Sequence, residues 1–468
     1  RTVTRFVLPR EDERGGHLRA QQLVDRIAAI PTHDVTEVVG GLLDRFSSAH
    51  VDFVADVLRN ANVVSTLVTS HTALDKSHEL LVGMAFTSEF AAEAVAVCNP
   101  SAVIHPDQSG LEPATIRVAL GMRAIGEGHI SSIGFAEAIV TKDSWTFLPR
   151  TYPSMLADIS EDDSPKGSPA SNRLRYARQI EMASTIIGQQ PTYDALPGRG
   201  ANERVRDGRH HDVKLDQGFL QRASDTSRLY QATFSPSSTL SQRVLLPEVF
   251  DEAHGIEDAR FVTTVDSDGA IEYRACYVAF DGRVAMPRLM ISRDLRSFEV
   301  FQITGPATSD KGLALFPRTV NGEHLALTRS GWQDISLARS LDGLDWRATD
   351  VIYSPTAVWE ILKAGNCGSP LEIEQGWLVV THGVGPVRSY SIGAILLDKD
   401  DPSIVIAHLV EPLIFTTGTN LADYVPNVVY SCGGIVHENT LWLPFSEGDT
   451  RVRVVSIEIT ELLAAMEK

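Results

Sequence analysis

The apolar positions of this 468-residue chain first follow helical spacing and then change to the alternation typical of strands. From His17 to about Asn60, apolar residues recur at intervals of three and four, and Asp34 stands where an N-cap is expected. The stretch Leu80–Val97 continues this helical spacing until Pro100 stops it. The pattern therefore predicts a helical N-terminal extension.

Short apolar runs separated by Gly and Asp begin at about Ile116 and indicate strands. Between about Tyr152 and Ser238 this pattern breaks, and acidic and Pro/Ser/Gly-rich residues surround a helix predicted from Arg173 to Ile187. We interpret residues 152–238 as an insertion that is partly mobile. From Arg243 to about Ile459 the chain consists almost wholly of short predicted strands.

An internal repeat sets the predicted fold class. The segment Ser292–Phe298 is echoed 48 residues later by Ser340–Trp346, and more faintly earlier in the chain by Thr141–Trp145. A period near 50 residues with four short strands is typical of β-propeller blades. We therefore expect an all-β fold, a five-bladed β-propeller over residues 81–468 behind a helical extension over residues 1–80. A pair of β-sandwiches is the alternative architecture, and it would not need the repeat.

Composition excludes several classes of partner. With 42 Lys and Arg against 60 Asp and Glu, the net charge of -18 opposes binding to nucleic acid or to an anionic membrane. The four cysteines show no CxxC spacing, which argues against a zinc site and a disulfide scaffold and favours a reducing compartment. No apolar run reaches membrane-span length, and the charged start Arg1 to Arg14 has no signal-peptide core, so we expect a cytoplasmic protein.

One histidine pair is a candidate for metal binding. His210 and His211 lie in a basic, Gly-rich stretch of the insertion, with no carboxylate or cysteine at ligand spacing. A solvated loop is the favoured interpretation, and we expect neither a metal nor an organic cofactor.

The densest cluster of potential chemistry is Gly255–Arg260, where two carboxylates and a guanidinium precede a run of strand-forming residues. A solvated turn with a salt bridge would have the same composition. An arginine beside a carboxyl can also orient a proton donor, so we interpret the segment as an active-site turn. Four cations in later blades, two of them tied to Gly-rich turns, would together form a site for a dianion: Lys311, Arg329, Lys363 and His382.

Several ordered motifs resemble glycoside hydrolase family 130, the inverting β-mannoside phosphorylases and related β-mannosidases. The resemblance covers about Val82 to Lys468 and is strongest from Arg243 onward. The motifs are GIEDAR, KGLALFPR, GNCGSP with GWLVVTHGVGP, YSIGAILLD with DPS, and NVVYSCGG with a downstream GD. Arg123 and the segment GEGHISSI that follows it fit the first blade of the family.

This resemblance implies a five-bladed propeller in which Asp258 is the general acid, protonating the glycosidic oxygen through a sugar hydroxyl. It implies that the phosphate-binding residues are Lys311, Arg329 and Lys363, with His382 and Tyr390 nearby. It implies that the residues around the sugar are Asn99, Ser101, Arg123, Glu257, Arg260 and Asp449.

The implied reaction is an inverting phosphorolysis of a β-mannoside or manno-oligosaccharide, with inorganic phosphate as co-substrate and α-mannose 1-phosphate as product. A phosphorylase needs one acid and fixed cations, whereas an inverting hydrolase needs two carboxyls about 6.5 to 9.5 Å apart. Glu257 stands where some relatives carry tyrosine, so a β-mannosidase that uses it as base is the alternative. Lys311 stands where arginine is frequent, which predicts looser phosphate binding.

A catalytically inactive carbohydrate-binding propeller is the third hypothesis. In that reading the N-terminal helices are the interface of a homo-oligomer. Binding of manno-oligosaccharides without turnover would favour it.

Overall fold

The structure is a computed structural model, and it describes residues 1–7, 16–69, 73–160, 228–265, 269–309, 311–329, 331–347, 350–416 and 423–467. The helix predicted from Arg173 to Ile187 and the pair His210-His211 lie outside these residues. Within the described ranges, no helix is both long and apolar enough to cross a membrane. The same ranges contain no group of three or more His, Cys, Asp or Glu side chains that could hold a metal ion.

The predicted N-terminal helices are present. They are α1 (Gly16–Ala28), α2 (Thr32–Phe46), α3 (Phe53–Leu67) and α4 (Lys76–Ala85). Their apolar faces are buried in two clusters, one around Val64 and one around Val57. Asp34 is not the N-cap of α2, because the helix starts at Thr32 and places Asp34 in its first turn.

The prediction of one helix over Leu80–Val97 is wrong beyond Ala85. There the chain turns into strand β2 (Thr87–Ala91), which pairs antiparallel with β1 (Thr2–Phe6). Phe90 fits a helical period in sequence, but it packs from β2 into a small cluster with the strand partner Val3. Helix α4 also runs across the expected boundary at residues 80 and 81, so the helical segment ends at Ala85.

The remaining described chain forms four sheets. The first has twelve strands: β3 (Ala96–Ile104), β4 (Ile116–Ile125), β5 (Ser131–Val140), β6 (Trp145–Phe147), β7 (Met155–Leu156), β8 (Asp158–Ser160), β9 (Arg228–Thr233), β10 (Arg243–Leu245), β11 (Gly255–Val265), β12 (Ile271–Phe280), β13 (Ala285–Ser292) and β14 (Ser297–Gln302).

The second sheet has β15 (Ala314–Leu315), β16 (His324–Thr328), β17 (Ile335–Ser340) and β18 (Val351–Tyr353). The third has β19 (Lys363–Asn366), β20 (Leu371–Ile373), β21 (Gly376–Val384), β22 (Tyr390–Leu397), β23 (Val405–His408) and β24 (Ile414–Phe415). The fourth has β25 (Val429–Tyr430), β26 (Ile435–His437), β27 (Thr440–Glu447) and β28 (Arg451–Glu458), and helix α5 (Ile459–Ala464) follows it.

The described ends of the predicted insertion are part of the first sheet. β9 pairs with β14, and β8 pairs with β9, so the sheet continues past β14 in the order β13-β14-β9-β8. The segments next to residues 161–227 are therefore hydrogen-bonded strands.

Shared hydrophobic clusters connect each sheet to the next. Leu289 and Leu315 lie in a cluster between the first and second sheets, Leu327 and Trp377 between the second and third, and Leu378 and Leu443 between the third and fourth. Leu120 and Trp442 belong to a cluster that connects the fourth sheet back to the first. The backbone N–H of Ala102 also donates to the carbonyl of Gly433 at 3.1 Å. The contacts therefore run from sheet to sheet and return to the start.

The repeat seen in the sequence corresponds to a turn in which one side-chain oxygen accepts backbone N–H groups two and three residues ahead. Asp294, between β13 and β14, and Asp342, between β17 and β18, each accept two backbone N–H groups through one carboxylate oxygen. Thr141 does the same with its hydroxyl between β5 and β6. Asp398, between β22 and β23, adds an instance that the sequence reasoning did not identify.

Candidate active site

The segment Gly255–Arg260 is a bulged strand rather than the turn that the sequence suggested. It lies in β11, where the register with β12 shifts between Glu257 and Arg260. Asp258 sits in this bulge with a φ of 52°. A bulge adds a residue to one strand and redirects a side chain, and left-handed backbone is strained for any residue with a Cβ. The bulge therefore takes the Asp258 side chain out of the regular alternation of side chains between the two faces of the sheet.

Strand β3 of the same sheet has a similar irregularity, although β4 and β5 separate it from β11 in the strand order. Its register with β4 shifts between Cys98 and Ser101, and Asn99 has a φ of 50°. The Asn99 Nδ2 group donates a hydrogen bond of 2.7 Å to Asp258 Oδ1. Bulges on two strands that are not paired with each other thus aim an amide and a carboxyl at each other.

Two arginines face the Asp258 carboxyl. Arg123 Nη1 lies 3.7 Å from Oδ1, and Arg260 Nη2 lies 3.8 Å from Oδ2. Burial alone would raise the pKa of Asp258, but the charges of these two arginines and the hydrogen bond from Asn99 outweigh it and hold that pKa below its ordinary value. Without ligands, Asp258 is therefore ionised at neutral pH.

Glu257 is held between two cations and does not line the cavity described below. Its carboxylate accepts from Arg123 Nη2 at 2.7 Å and from Lys311 Nζ at 3.0 Å. Its side chain is 9% exposed. Its position suits the alignment of Arg123 and Lys311 rather than contact with a sugar.

Two other predicted substrate-binding residues are also buried behind the cavity wall. Ser101 is fully buried, and its hydroxyl accepts the backbone N–H of Phe261 at 2.9 Å. Arg260 is 1% exposed and donates to the carbonyls of Asp258 and Cys367 and to the hydroxyl of Tyr430. The structure gives both residues a supporting position, because their polar groups are bonded to the protein itself.

A cavity of about 650 Å³ brings together seven of the twelve predicted site residues. These seven are Asn99, Asp258, Lys311, Arg329, Lys363, Tyr390 and Asp449. The other residues around it are Phe280, Arg283, Val284, Ala285, Ser309, Trp332, Val425, Val428 and Tyr430. The wall therefore carries more cations than carboxyls, although the whole chain has a net charge of -18.

Two glycines provide the space that Arg329 occupies. A Cβ on Gly312, where φ is 96°, would lie 2.4 Å from Arg329 Nε, and one on Gly365 would lie 2.8 Å from Arg329 Cδ. Arg329 Nε donates to the carbonyl of Lys311 at 3.0 Å. The glycines noted in the sequence thus allow the backbone to pack closely around the Arg329 guanidinium.

His382 does not line the cavity and is not a cation. It is 1% exposed, and its Nε2 lies 3.5 Å from Arg329 Nη1. Burial, together with the charges of Arg329 and Lys363, lowers its pKa well below the ordinary value. Of the four residues expected to form a cationic site for a dianion, three are therefore cations. The fourth, His382, is a neutral imidazole behind Arg329, and its ring stacks on that of Tyr390 with the centroids 6.1 Å apart.

Asp449 is a second cavity carboxyl in a different environment. The Ser446 hydroxyl lies 3.5 Å from Asp449 Oδ1 and donates to Asn99 Oδ1 at 3.0 Å. Burial and the nearby Asp258 carboxylate raise the pKa of Asp449 to about 6. The two carboxyls are thus connected through Ser446 and Asn99, with pKa values shifted in opposite directions.

Sequence reasoning missed several residues of the cavity and its support. Tyr430 lies in the motif NVVYSCGG and looks like an ordinary strand residue, whereas its hydroxyl accepts from Arg260 at 2.9 Å. Ser446 lies three residues before Asp449, and this short polar turn was the available signal. Trp332 follows a glycine in a polar turn, which is an unusual place for an indole.

Comparison with known proteins supports one family. The family model of glycoside hydrolase family 130, described as β-1,4-mannooligosaccharide phosphorylase, matches residues 236–468. A 1,2-β-oligomannan phosphorylase of Thermoanaerobacter sp. (strain X514) is 30% identical over 227 residues, which is 48% of this chain and 75% of the relative. A β-1,2-mannobiose phosphorylase of the same organism is 34% identical over 220 residues, covering 46% and 70% of the two chains.

Among solved structures, the β-1,2-mannobiose phosphorylase of Listeria innocua in complex with β-1,2-mannobiose is similar over 80% of this chain and 96% of its own, with 19% identity and a TM-score of 0.47. The two Thermoanaerobacter relatives are each matched over more than two thirds of their length at 30% identity or above. The chain belongs to glycoside hydrolase family 130.

Proposed function

We propose that this enzyme cleaves β-mannosides with inorganic phosphate, with inversion, to give α-mannose 1-phosphate. Asp258 is the general acid in this proposal, and Lys311, Arg329 and Lys363 bind the phosphate. The mannoside phosphorylases among the relatives support the substrate class. The mechanism needs neither a metal nor an organic cofactor, because phosphate is the nucleophile.

One observation carries the proposal, namely that Lys311, Arg329 and Lys363 line the same cavity as Asp258. Fixed cations in a partly enclosed site bind a phosphate dianion and hold its oxygens for attack without reorganising during the reaction. Lys311 also bonds to Glu257, so it contributes part of its charge to the phosphate. Arg329, backed by His382, is the planar guanidinium of the set and can bind two phosphate oxygens at once.

The state of Asp258 supports a requirement for phosphate before proton transfer. A general acid must carry a proton, yet the surrounding arginines hold the pKa of Asp258 below its ordinary value. A bound phosphate dianion adds negative charge to the cavity and offsets these cations, which raises the pKa of Asp258. Phosphate therefore supplies the nucleophile and also favours protonation of the acid.

Inverting hydrolysis is the second candidate, and Asp449 is the observation that favours it. Glu257 is poorly suited as the base for water, because two cations hold its carboxylate outside the cavity. Asp449 does line the cavity, and its raised pKa differs from that of Asp258, as expected for an acid–base pair.

We also infer that the sheets form a five-bladed β-propeller, with the twelve-stranded sheet counting as two blades. The return contact between the fourth and first sheets and the matching turns before the outer strands support this arrangement. In such a fold the inner strands of different blades surround one cavity. The bulges of β3 and β11 fit this arrangement, because Asn99 and Asp258 in them line the same cavity. The helices before Ala85 are an addition to this domain.

The first experiment measures cleavage of β-1,2- and β-1,4-mannobiose with and without inorganic phosphate. We expect consumption to depend on phosphate and α-mannose 1-phosphate to appear as the product. Equal turnover without phosphate, with release of free mannose, would establish the hydrolase. Binding of both disaccharides by calorimetry without any turnover would instead favour a carbohydrate-binding protein.

Two variants assign the residues within that assay. Asp258→Asn should abolish turnover while the protein stays folded, since the amide is nearly isosteric with the carboxyl but donates no acidic proton. Lys363→Met should raise the KM for phosphate about tenfold or more through loss of one charge contact. Arg318→Gln is the matched control, because Arg318 pairs with Glu372 away from the cavity.

A further inference from the structure

The cavity has a buried floor and an exposed rim. Asn99 and Tyr430 are 6% and 7% exposed, whereas Trp332 and Val284 on the same wall are 73% and 53% exposed. Asp258, with its side chain 14% exposed, belongs to the floor. A sugar that reacts at Asp258 therefore occupies the deep end, and whatever is attached to it extends toward the rim.

Trp332 is held at this rim in a strained backbone conformation. It lies between β16 and β17 with a φ of 73°, and it follows Gly331, whose φ is 104°. Its backbone N–H donates to the carbonyl of Arg329 at 3.0 Å. Left-handed backbone is rare for a bulky residue, and such residues concentrate at ligand contacts. Trp332 has a strained backbone and an indole that is open to solvent beside the cavity. Its side chain is therefore a candidate ligand contact.

The hairpin between β12 and β13 contributes another part of the rim. The Asp281 carboxylate accepts the backbone N–H groups of Arg283 at 2.7 Å and Val284 at 2.6 Å. These bonds fix the turn, and Arg283 and Val284 both line the cavity. The rim thus combines a flat aromatic face with a guanidinium and a small apolar side chain.

We propose that Trp332 and this hairpin form the binding site for the leaving sugar unit, the one on the far side of the cleaved bond. The inference rests on the proposed β-mannoside cleavage. One face of a pyranose ring presents C–H groups that pack on an indole, and its hydroxyls accept hydrogen bonds from a guanidinium such as that of Arg283. The indole carries no charge that would hold phosphate, so the sugar is the occupant that fits it.

The test uses the synthetic direction, in which the two sugars are separate reactants. With α-mannose 1-phosphate as donor and mannose or β-1,4-mannobiose as acceptor, Trp332→Ala should raise the KM for the acceptor about tenfold or more. The KM for α-mannose 1-phosphate should stay within about twofold, because the donor occupies the floor. Trp332→Phe should restore part of the acceptor affinity, since it keeps an aromatic face.

Phe415→Ala is the matched control, because Phe415 is 57% exposed and lies outside the cavity wall. An unchanged acceptor KM in Trp332→Ala would overturn the inference, as would equal increases for donor and acceptor. A change in molar mass by light scattering, in place of a change in KM, would assign Trp332 to a contact between copies of the chain.

A wild-type protein without turnover in either direction would contradict the proposed function rather than this subsite. In that case, calorimetric titration with β-1,4-mannobiose decides the matter. Weaker binding to Trp332→Ala than to the wild type would keep the indole as a sugar contact, and equal binding would exclude it.

Discussion

At the scale of single residues, the cavity places two aspartates in opposite electrostatic environments. Asp258 faces Arg123 and Arg260, which hold its pKa low, whereas Asp449 is buried beside the Asp258 charge. A short path through Asn99 and Ser446 connects the two carboxyls. The arrangement favours one negative charge over two, so the proton remains on Asp449 until the pH approaches 6.

Asp449→Asn should stabilise the protein at neutral pH but not in acid. The pKa of Asp449 is raised in the folded state from 3.8 to about 6, so the folded protein binds the proton more tightly than the unfolded chain does. The stability associated with that proton is fully present below about pH 4 and is lost as the pH rises to about 6. The neutral amide avoids this loss, and we expect a gain of about 1 to 3 kcal/mol at pH 7.

Urea unfolding of the wild type and Asp449→Asn at pH 4 and pH 7 measures this effect. A gain of the same size at both pH values would contradict a raised pKa. Activity should fall in the variant, because Asp449 lines the cavity in which the sugar is proposed to bind.

At the scale of elements, short turns with buried carboxylates fix where strands β11 and β19 begin. Glu252, in the 3₁₀ turn before β11, is fully buried and accepts from Tyr230, Tyr277 and the backbone N–H of Glu248. Glu360 occupies the corresponding turn before β19 and accepts from Tyr353 and Thr356. These turns precede the strands that carry Asp258 and Lys363. They therefore help to position the proposed general acid and one of the proposed phosphate-binding residues.

Glu252→Ala should lower the free energy of unfolding by about 2 to 4 kcal/mol, because two buried tyrosine hydroxyls and a backbone N–H lose their acceptor. Glu252→Gln, which keeps one acceptor oxygen, should lose less. The comparison is made by urea unfolding at pH 7. Glu374→Ala, at an exposed position between β20 and β21, should change stability by less than about 0.5 kcal/mol. A Glu252→Ala loss no larger than this control would exclude the proposed role of the turn.

At the scale of the whole molecule, the contact between the last and first sheets decides whether the sheets act as one unit. Trp442 of β27 is 4% exposed and packs in a cluster with Leu120 of β4 and Ala136 of β5. Its ring centroid lies 6.1 Å from that of Trp145. This contact joins segments from opposite ends of the sheet region, and each sheet buries its apolar faces against its neighbours.

Trp442→Ala should lower the stability of the whole protein by about 3 to 5 kcal/mol, since it removes a large side chain from a closed apolar contact. Unfolding followed by far-ultraviolet circular dichroism and by tryptophan fluorescence should still show a single coincident transition at lower urea concentration. Two separated transitions, with the last sheet unfolding first, would show that the return contact does not couple the sheets.

The amino-acid sequence by itself determined the local pattern, because local pattern depends on neighbours along the chain. Apolar spacing predicted helices, correctly as far as Ala85. The repeat at Asp294 and Asp342 corresponds to turns before β14 and β18, since an aspartate bonds to the backbone two and three residues ahead. Spacing failed after Ala85, where pairing with β1 selected a strand for Thr87–Ala91 and pairing with β4 did so from Ala96, although these residues also fit a helix. Ordered motifs also predicted the family and seven of the sixteen residues that line the cavity.

Tertiary structure alone decided which charged residues share the cavity and in what state. Sequence could not show that His382 is buried and neutral behind Arg329, that Glu257 is held between two cations, or that Ser101 bonds to a backbone N–H. Nor could it show that bulges turn Asn99 and Asp258 toward each other. Burial, charge and hydrogen bonding set these properties through groups far apart in the chain, so they exist only once the sheets have packed.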